Sequence, residues 1–207
     1  MSIEQIRAAL HRQANALIDP LILRFARSGF TPDAITVSGL VFSAVAAGFL
    51  AAGMPRSAGV IWLLASSLDM LDGALARRTG ATNRSGAFLD SSLDRVSEGV
   101  LLTAAVYYFA VLGAPVVAAV AAWAMLASLM VSYTRARGEG LGTECRGGLA
   151  TRVERVILLG LGLVFGVLPI AIGVLAVLAT VTTVQRIVLV RAALSRDEGA
   201  DAEPRSG

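Results

Sequence analysis

Long runs of apolar residues alternate along this chain with short polar or glycine-rich segments. The first long run follows Thr31 and Pro32, where a capping hydroxyl and a proline at the first helical position predict a helix start. That run extends to about Met54, and later runs cover 59–77, 86–112, 115–133 and 156–184. Because about 20 apolar residues cross a bilayer core, this pattern predicts a polytopic membrane protein.

The last apolar run is too long for one crossing, since a helix over 156–184 would measure about 43 Å at 1.5 Å per residue. We divide it at Gly166 to Pro169, so that the fifth span begins near Arg152 and the sixth extends from about Leu168 to Val190. The sequence therefore predicts an all-α integral membrane protein with six transmembrane helices.

The two ends of the chain differ from this apolar middle. Residues 1–30 place apolar side chains at helical spacing among arginines, which predicts an amphipathic juxtamembrane helix lying on the membrane surface. Residues 31–194 form the predicted six-helix transmembrane domain. The polar residues 195–207 are predicted to be a disordered tail.

The arginines support the six-span assignment. Only Arg56 falls on the outer side, whereas the others lie on, or within a turn or two of, the side that holds both termini. Because cytoplasmic loops are enriched in basic residues, we expect a multi-pass protein of the cell membrane with both termini cytoplasmic, on the side to which the aspartate pairs described below also open. A five-span alternative would place Arg186, Arg191 and Arg196 outside, and we reject it for that reason.

The residue inventory limits the chemistry that this chain can perform. It is 56% hydrophobic and has one histidine and one cysteine, His11 and Cys145. A disulfide framework, a Cys/His zinc site and a Ser-His-Asp triad in the membrane domain are therefore excluded or strongly disfavoured. Carboxylates, arginines and backbone groups must carry any reaction, and no nucleic-acid partner is expected.

Four aspartates lie in or beside segments that are otherwise apolar enough to cross a membrane. Asp69 and Asp72 are three residues apart, and Asp90 and Asp94 are four apart, so each pair shares one helical face. A bare carboxylate at mid-bilayer costs about 2.5–3.5 kcal/mol, so a positive partner is required. Arginine partners would make these acids mere contacts between helices, whereas an all-oxygen ligand set favours Mg²⁺ and phosphate chemistry.

The glycines and the arginine around these acids favour the second interpretation. Gly73 removes a side chain where a ligand can approach the backbone, and Arg77 lies one helical turn further on the same face. The whole pattern is Asp-x-x-Asp-Gly-x-x-Ala-Arg, eight residues, then Gly-x-x-x-Asp-x-x-x-Asp, over 69–94. It resembles the signature of the CDP-alcohol phosphotransferases, with the same residue types at the same spacing.

The resemblance implies an intramembrane homodimer that binds two divalent cations per subunit, Mg²⁺ or Mn²⁺, together with CDP-diacylglycerol. It implies transfer of a phosphatidyl group to an alcohol with release of CMP. By the same resemblance Asp69 and Asp90 bridge both metals, Asp72 completes one, and Asp94 binds the other and is the general base. The residues that correspond to CDP contacts are Asp33, Ala34, Ile35, Thr36, Gly73, Arg77 and Asn83. For Asp33, an ordinary helix cap is the alternative role.

Arginines gather at the predicted cytoplasmic edge of the later spans, and they indicate an anionic acceptor. Each guanidinium can hold a phosphate through two parallel hydrogen bonds. Contact with anionic lipid headgroups is the alternative for any single arginine. The predicted acceptor-phosphate site consists of Ser132, Arg135, Arg137, Arg152, Arg155 and Arg186.

This region is similar to actinobacterial phosphatidylinositol-phosphate synthases and their archaeal counterparts, which implies inositol phosphate as the acceptor. The departures from their pattern are Arg135 for lysine, Thr151 for glutamate and Val153 for proline. Because arginine and lysine differ in hydrogen-bond geometry, glycerol 3-phosphate remains the competing acceptor, as in a phosphatidylglycerophosphate synthase. A divalent-cation transporter is the non-enzymatic alternative, although the outer half of the spans is nearly uncharged.

Overall fold

The computed structural model describes the backbone of residues 31–79, 83–143 and 151–202, and their side chains except for 32, 68–79 and 197–202. This part of the chain is helical and contains no strand. Its helices are α1 (Pro32–Ala51), α2 (Pro55–Thr79), α3 (Arg84–Val111), α4 (Pro115–Gly140), α5 (Arg152–Val164) and α6 (Leu168–Ala202). The predicted surface helix over 1–30 lies outside the described residues.

Three tight turns join the helices pairwise, α1 to α2, α3 to α4 and α5 to α6. Each turn contains a glycine with a positive φ angle, 81° at Gly53, 69° at Gly113 and 74° at Gly166. In each turn the residue after the glycine donates its N–H to a carbonyl five residues earlier, such as Met54 to Phe49 at 2.9 Å. This left-handed cap satisfies the last carbonyls of one helix and lets the next begin at once.

The helices pack as a closed ring in the described part of the molecule. Around the ring, α1 contacts α2, α2 contacts α5, α5 contacts α6, α6 contacts α4, α4 contacts α3, and α3 returns to α1. The buried core collects Leu50, Trp62, Leu102, Leu163 and Ile172, one from each of five helices. The first helix therefore packs against both of the helices that carry the aspartate pairs.

Small residues bring α2, α5 and α6 close together. A Cβ added at Gly160 of α5 would lie 2.4 Å from Leu63 of α2, and one at Gly162 would lie 2.4 Å from Ala171 of α6. Such close approach raises dispersion contact between helices where no hydrophobic effect drives association, as in lipid. The position of α5, which carries two of the predicted acceptor arginines, depends on these contacts.

Three described helices are long and apolar enough to cross a membrane, over Asp33–Ala51, Pro115–Gly140 and Leu168–Arg196. Helices α2 and α3 carry the charged motif, and α5 has only 13 residues. The prediction of an all-α membrane protein is confirmed. The number of six spans stays a prediction.

Two helices extend further than the sequence predicts. Helix α4 continues past Tyr133 to Gly140, so Arg135 and Arg137 lie on this helix, beyond the end of the apolar run. Helix α6 continues to Ala202, so residues 195–202 are helical where we predicted a disordered tail. In both cases the added segment includes good helix formers such as arginine, alanine and glutamate, and polarity alone does not end a helix.

Candidate active site

A stripe of acidic residues follows one face of α3. Asp90, Asp94 and Glu98 are spaced four apart, which places them on successive turns of the same face. Asp94 and Glu98 are buried, and Asp90 is half-buried. The Oδ1 atom of Asp90 is buried and has no hydrogen-bond partner among the described residues. A buried carboxylate oxygen without a donor is costly unless a cation faces it.

For the second aspartate pair the structure describes the backbone only. Asp69 and Asp72 lie on helical backbone in α2, three residues apart, so that they share a face. Their side chains, with those of Gly73 and Arg77, are outside the described part of the structure. Among the described side chains no group of three or more His, Cys, Asp or Glu residues is close enough to hold a metal. The joint site of four aspartates therefore stays a prediction.

Two arginines on the first turn of α5 reach across to the acids of α3. Arg152 Nη2 lies 2.5 Å from Asp94 Oδ1. Arg155 donates from Nε to Glu98 Oε1 and from Nη2 to Glu98 Oε2, both at 2.8 Å. The arginines are three residues apart and the acids four, so the two ion pairs form successive rungs between α3 and α5.

A cavity lies next to these rungs. Ser132 and Arg135 of α4 and Arg186 of α6 line it together with Asp94, Arg152 and Arg155. Arg186 is buried and donates from Nη1 to the carbonyl of Val131 at 2.6 Å. The structure thus brings five of the six predicted acceptor residues to one cavity beside the predicted base. The sixth, Arg137, is exposed and is not among the lining residues.

The cavity also contains residues that the sequence analysis did not select. Arg95, Glu98, Val131 and Thr151 complete its lining. For Glu98 a signal was present, because it continues the four-residue repeat that Asp90 and Asp94 begin. No comparable pattern distinguishes Arg95, whose Nη1 donates to the carbonyl of Ser91 on its own helix. In all, five arginines and two carboxylates line the cavity, so its charge balance is positive.

The first turns of α1 and α3 lie side by side and carry predicted CDP contacts. Asn83 caps α3, with its Oδ1 accepting the Gly86 N–H at 2.6 Å. A Cβ added at Gly86 would lie 3.2 Å from Asn83 Oδ1 and 3.4 Å from Asp33 Oδ1. Asp33 and Asn83 therefore both lie close to Gly86, where any larger residue would crowd their side chains.

The other predicted CDP contacts on α1 are less accessible. Thr36 and Ile35 are buried, and Ala34 is half-buried. The Ala34 N–H donates to the capping Thr31 Oγ1 at 3.2 Å, which is an ordinary helix cap. Asp33 is not the capping residue, so its exposed carboxylate serves no cap.

Known proteins resemble this chain in sequence. The sequence model of the CDP-alcohol phosphatidyltransferase family matches residues 30–188. The phosphatidylinositol phosphate synthase of Mycobacteroides abscessus is 38% identical over 193 residues, covering 88% of this chain and 87% of that protein. The archaetidylinositol phosphate synthase of Methanothermobacter thermautotrophicus is 35% identical over 197 residues, covering 91% and 93%.

Solved structures of a phosphatidylinositol phosphate synthase resemble this chain in fold. The phosphatidylinositol phosphate synthase of Mycobacterium tuberculosis with CDP-DAG bound superposes with a TM-score of 0.79 at 28% identity, covering 84% of this chain and 94% of that one. The same enzyme in complex with manganese and citrate superposes with a TM-score of 0.78 at 29% identity, covering 84% and 88%.

Proposed function

The chain belongs to the CDP-alcohol phosphatidyltransferase family, and on this premise we propose that it transfers a phosphatidyl group from CDP-diacylglycerol to inositol phosphate. The products are phosphatidylinositol phosphate and CMP. The relatives named above make phosphatidylinositol phosphate and archaetidylinositol phosphate, which favours this acceptor over glycerol 3-phosphate. Family membership also favours an enzyme of phospholipid biosynthesis over a cation transporter.

One observation carries the proposal. The last aspartate of the signature, Asp94, lines the same cavity as Arg135, Arg152, Arg155 and Arg186. A neutral alcohol needs no such excess of guanidinium groups, whereas the phosphate of a phosphorylated polyol is bound well by them. The first turn of α5 adds to the positive potential, because its N–H groups begin at Thr151, beside the cavity.

The acids present fit a divalent cation, as the relative in complex with manganese also suggests. The unpartnered, buried Asp90 Oδ1 and the all-oxygen donor set suit Mg²⁺ or Mn²⁺. We propose that Asp69, Asp72, Asp90 and Asp94 hold two ions per subunit. When bound, such ions clamp the pyrophosphate and stabilise charge on the attacked phosphorus and on the departing CMP.

The side chains of this chain then have separate tasks. Asp33, Thr36, Gly73, Arg77 and Asn83 contact the CDP moiety, and the arginine cavity orients the acceptor by its phosphate. Asp94 accepts the proton of the acceptor hydroxyl as that oxygen bonds to the lipid-side phosphorus and the bond from this phosphorus to the CMP oxygen breaks. The cavity places the acceptor beside Asp94 before the proton moves, which lowers the entropic part of the barrier.

We further propose the setting in which this reaction takes place. The protein is a homodimer in the cell membrane, with its termini and active site on the cytoplasmic side and with membrane lipids around the apolar ring. The distribution of arginines supports this orientation. Exposed apolar residues on α1, α4 and α6, such as Val41, Trp123 and Val177, supply a surface that suits lipid.

The test is an acceptor panel. Purified protein in detergent receives CDP-diacylglycerol, Mg²⁺ and either inositol, inositol phosphate or glycerol 3-phosphate, and CMP release is measured. We expect the highest kcat/KM with inositol phosphate, a lower value with glycerol 3-phosphate, and no CMP after removal of divalent ions by a chelator. Equal use of inositol and inositol phosphate would contradict the role given to the arginine cavity, and no CMP with any acceptor would contradict the enzymatic proposal.

A further inference from the structure

Glu98 is a buried acid for which neither the aspartate signature nor the proposed reaction gives a role. It lies on α3 one turn beyond Asp94 and is 8% exposed at its side chain, and its partner Arg155 is 4% exposed. Both carboxylate oxygens accept hydrogen bonds from that one guanidinium, at 2.8 Å each. A bidentate ion pair of this kind fixes the plane and the orientation of the guanidinium group, whereas a single contact fixes neither.

The pair with Glu98 also compensates the positive charge of Arg155 in the cavity. Arg155 is placed among other arginines, and Arg95 and Arg152 line the same space. Before a phosphate enters, a buried guanidinium in such surroundings needs a resident counter-charge, because an uncompensated buried charge is strongly unfavourable. Glu98 supplies that charge at the wall of the cavity.

Pairing with Glu98 is compatible with binding a second anion. A guanidinium has five N–H donors, and the carboxylate of Glu98 takes one from Nε and one from Nη2. Arg155 still lines the cavity while it is held in this way. The same group can thus be anchored on one edge and present a donor to a phosphate on another.

We propose that Glu98 is a positioning residue that holds the Arg155 guanidinium in the orientation in which it binds the phosphate of the acceptor. This inference rests on the proposed function, since it concerns the same cavity and the same anionic substrate. Glu98 itself does not contact the reacting atoms. Its effect therefore passes through Arg155 and concerns acceptor affinity, not the CDP-lipid and not the proton transfer.

The test is a double-mutant cycle on Glu98→Gln and Arg155→Gln, with KM measured separately for inositol phosphate and for CDP-diacylglycerol. Glu98→Gln keeps the size of the side chain but removes its charge and one acceptor. We expect the acceptor KM to rise at least about tenfold, the order of a lost charged hydrogen bond. We expect the CDP-lipid KM to change less than about twofold. In the Arg155→Gln background, Glu98→Gln should add nothing further to the acceptor KM.

Glu154→Gln is the matched control, because it removes an exposed acid next to Arg155 in sequence without breaking the buried pair. Its acceptor KM should stay within about twofold of the wild-type value, as for exposed charges in general. If Glu98→Gln does not fold, Glu98→Asp is measured. It keeps the charge one methylene further away, and it should give a smaller rise in acceptor KM.

Several results overturn the inference. An unchanged acceptor KM in Glu98→Gln or Glu98→Asp, with or without a lower unfolding temperature, would make the pair a contact between helices only. Effects of Glu98→Gln that are equal in the wild-type and Arg155→Gln backgrounds would show that Glu98 does not act through Arg155. If the wild-type protein uses no phosphorylated acceptor, the proposed function fails and this inference fails with it. Wild-type activity with an unaltered acceptor KM in the variants rejects only the role of Glu98.

Discussion

The two ion pairs between α3 and α5 join the same helices one turn apart, yet they differ in the burial of their arginines. In the outer pair Arg152 Nη2 lies 2.5 Å from Asp94 Oδ1, and the Arg152 side chain is 33% exposed. Arg155 meets Glu98 through two hydrogen bonds at 2.8 Å, and both side chains are almost fully buried. The two acids are buried to a similar extent, but water can hydrate Arg152 if its pair separates, whereas Arg155 would stay buried without Glu98.

This difference suits the two pairs to different roles. In the proposed mechanism Asp94 loses its charge, and with it its attraction to Arg152, when it accepts a proton from the acceptor, so the outer pair suits exchange during turnover. Glu98 has no such task and can keep Arg155 throughout. We therefore expect changes in the outer pair to alter the reaction while the fold is retained, and changes in the inner pair to alter both stability and acceptor binding.

The largest expected effect comes from the acid of the outer pair. Asp94→Asn keeps the shape of the side chain but cannot accept the proton, so kcat should fall by about 10²- to 10⁴-fold. Binding of the CDP-lipid should persist, and the unfolding temperature should change little. Steady-state CMP release and equilibrium binding of CDP-diacylglycerol measure these quantities. Unchanged turnover would remove the general-base role of Asp94.

The next effect concerns stability and comes from the inner pair. Glu98→Ala leaves the Arg155 guanidinium buried without its partner, a change that costs about 3–5 kcal/mol of folding free energy. Asp94→Ala leaves Arg152, whose side chain is 33% exposed and can be hydrated, so it should cost about 1 kcal/mol or less. Unfolding by denaturant in detergent micelles compares the two variants. Equal losses would show that burial does not distinguish the pairs.

A smaller effect is expected for the arginine of the outer pair. Arg152→Gln should raise the acceptor KM about tenfold, because one charged hydrogen bond to the phosphate is lost. The CDP-lipid KM and the unfolding temperature should stay near their wild-type values. Initial rates at varied inositol phosphate measure the change. A rise confined to the CDP-lipid KM would place Arg152 at the nucleotide and not at the acceptor.

The smallest effect is expected at Arg137, which was predicted as an acceptor residue but does not line the cavity. Arg137→Gln should change the acceptor KM less than about threefold, as for a solvent-screened surface charge. Measurement in vesicles with and without anionic lipid shows whether this arginine contacts headgroups instead. An effect as large as that of Arg152→Gln would return Arg137 to the acceptor site.

Much of the fold follows from local sequence signals. Apolar runs bounded by Gly53, Gly113 and Gly166 predict the helix pairs. Glycine adopts the left-handed backbone conformation that ends one helix, and the next helix begins directly after it. The helical continuations at 134–140 and 195–202 were missed, because the helices were taken to end with the apolar residues, although several of the residues that follow are good helix formers.

The aspartate motif, its metal chemistry and the preference for an anionic acceptor could be predicted from the sequence alone, because they depend on residue types at helical spacing along one or two helices. The pairing of Glu98 with Arg155 and of Asp94 with Arg152 was decided by the tertiary structure. These partners are far apart in the chain. They come into contact because α5 packs closely against α2 and α6 at Gly160 and Gly162. Periodicity reports which face of a helix a residue occupies, but the packing of the ring determines what that face meets.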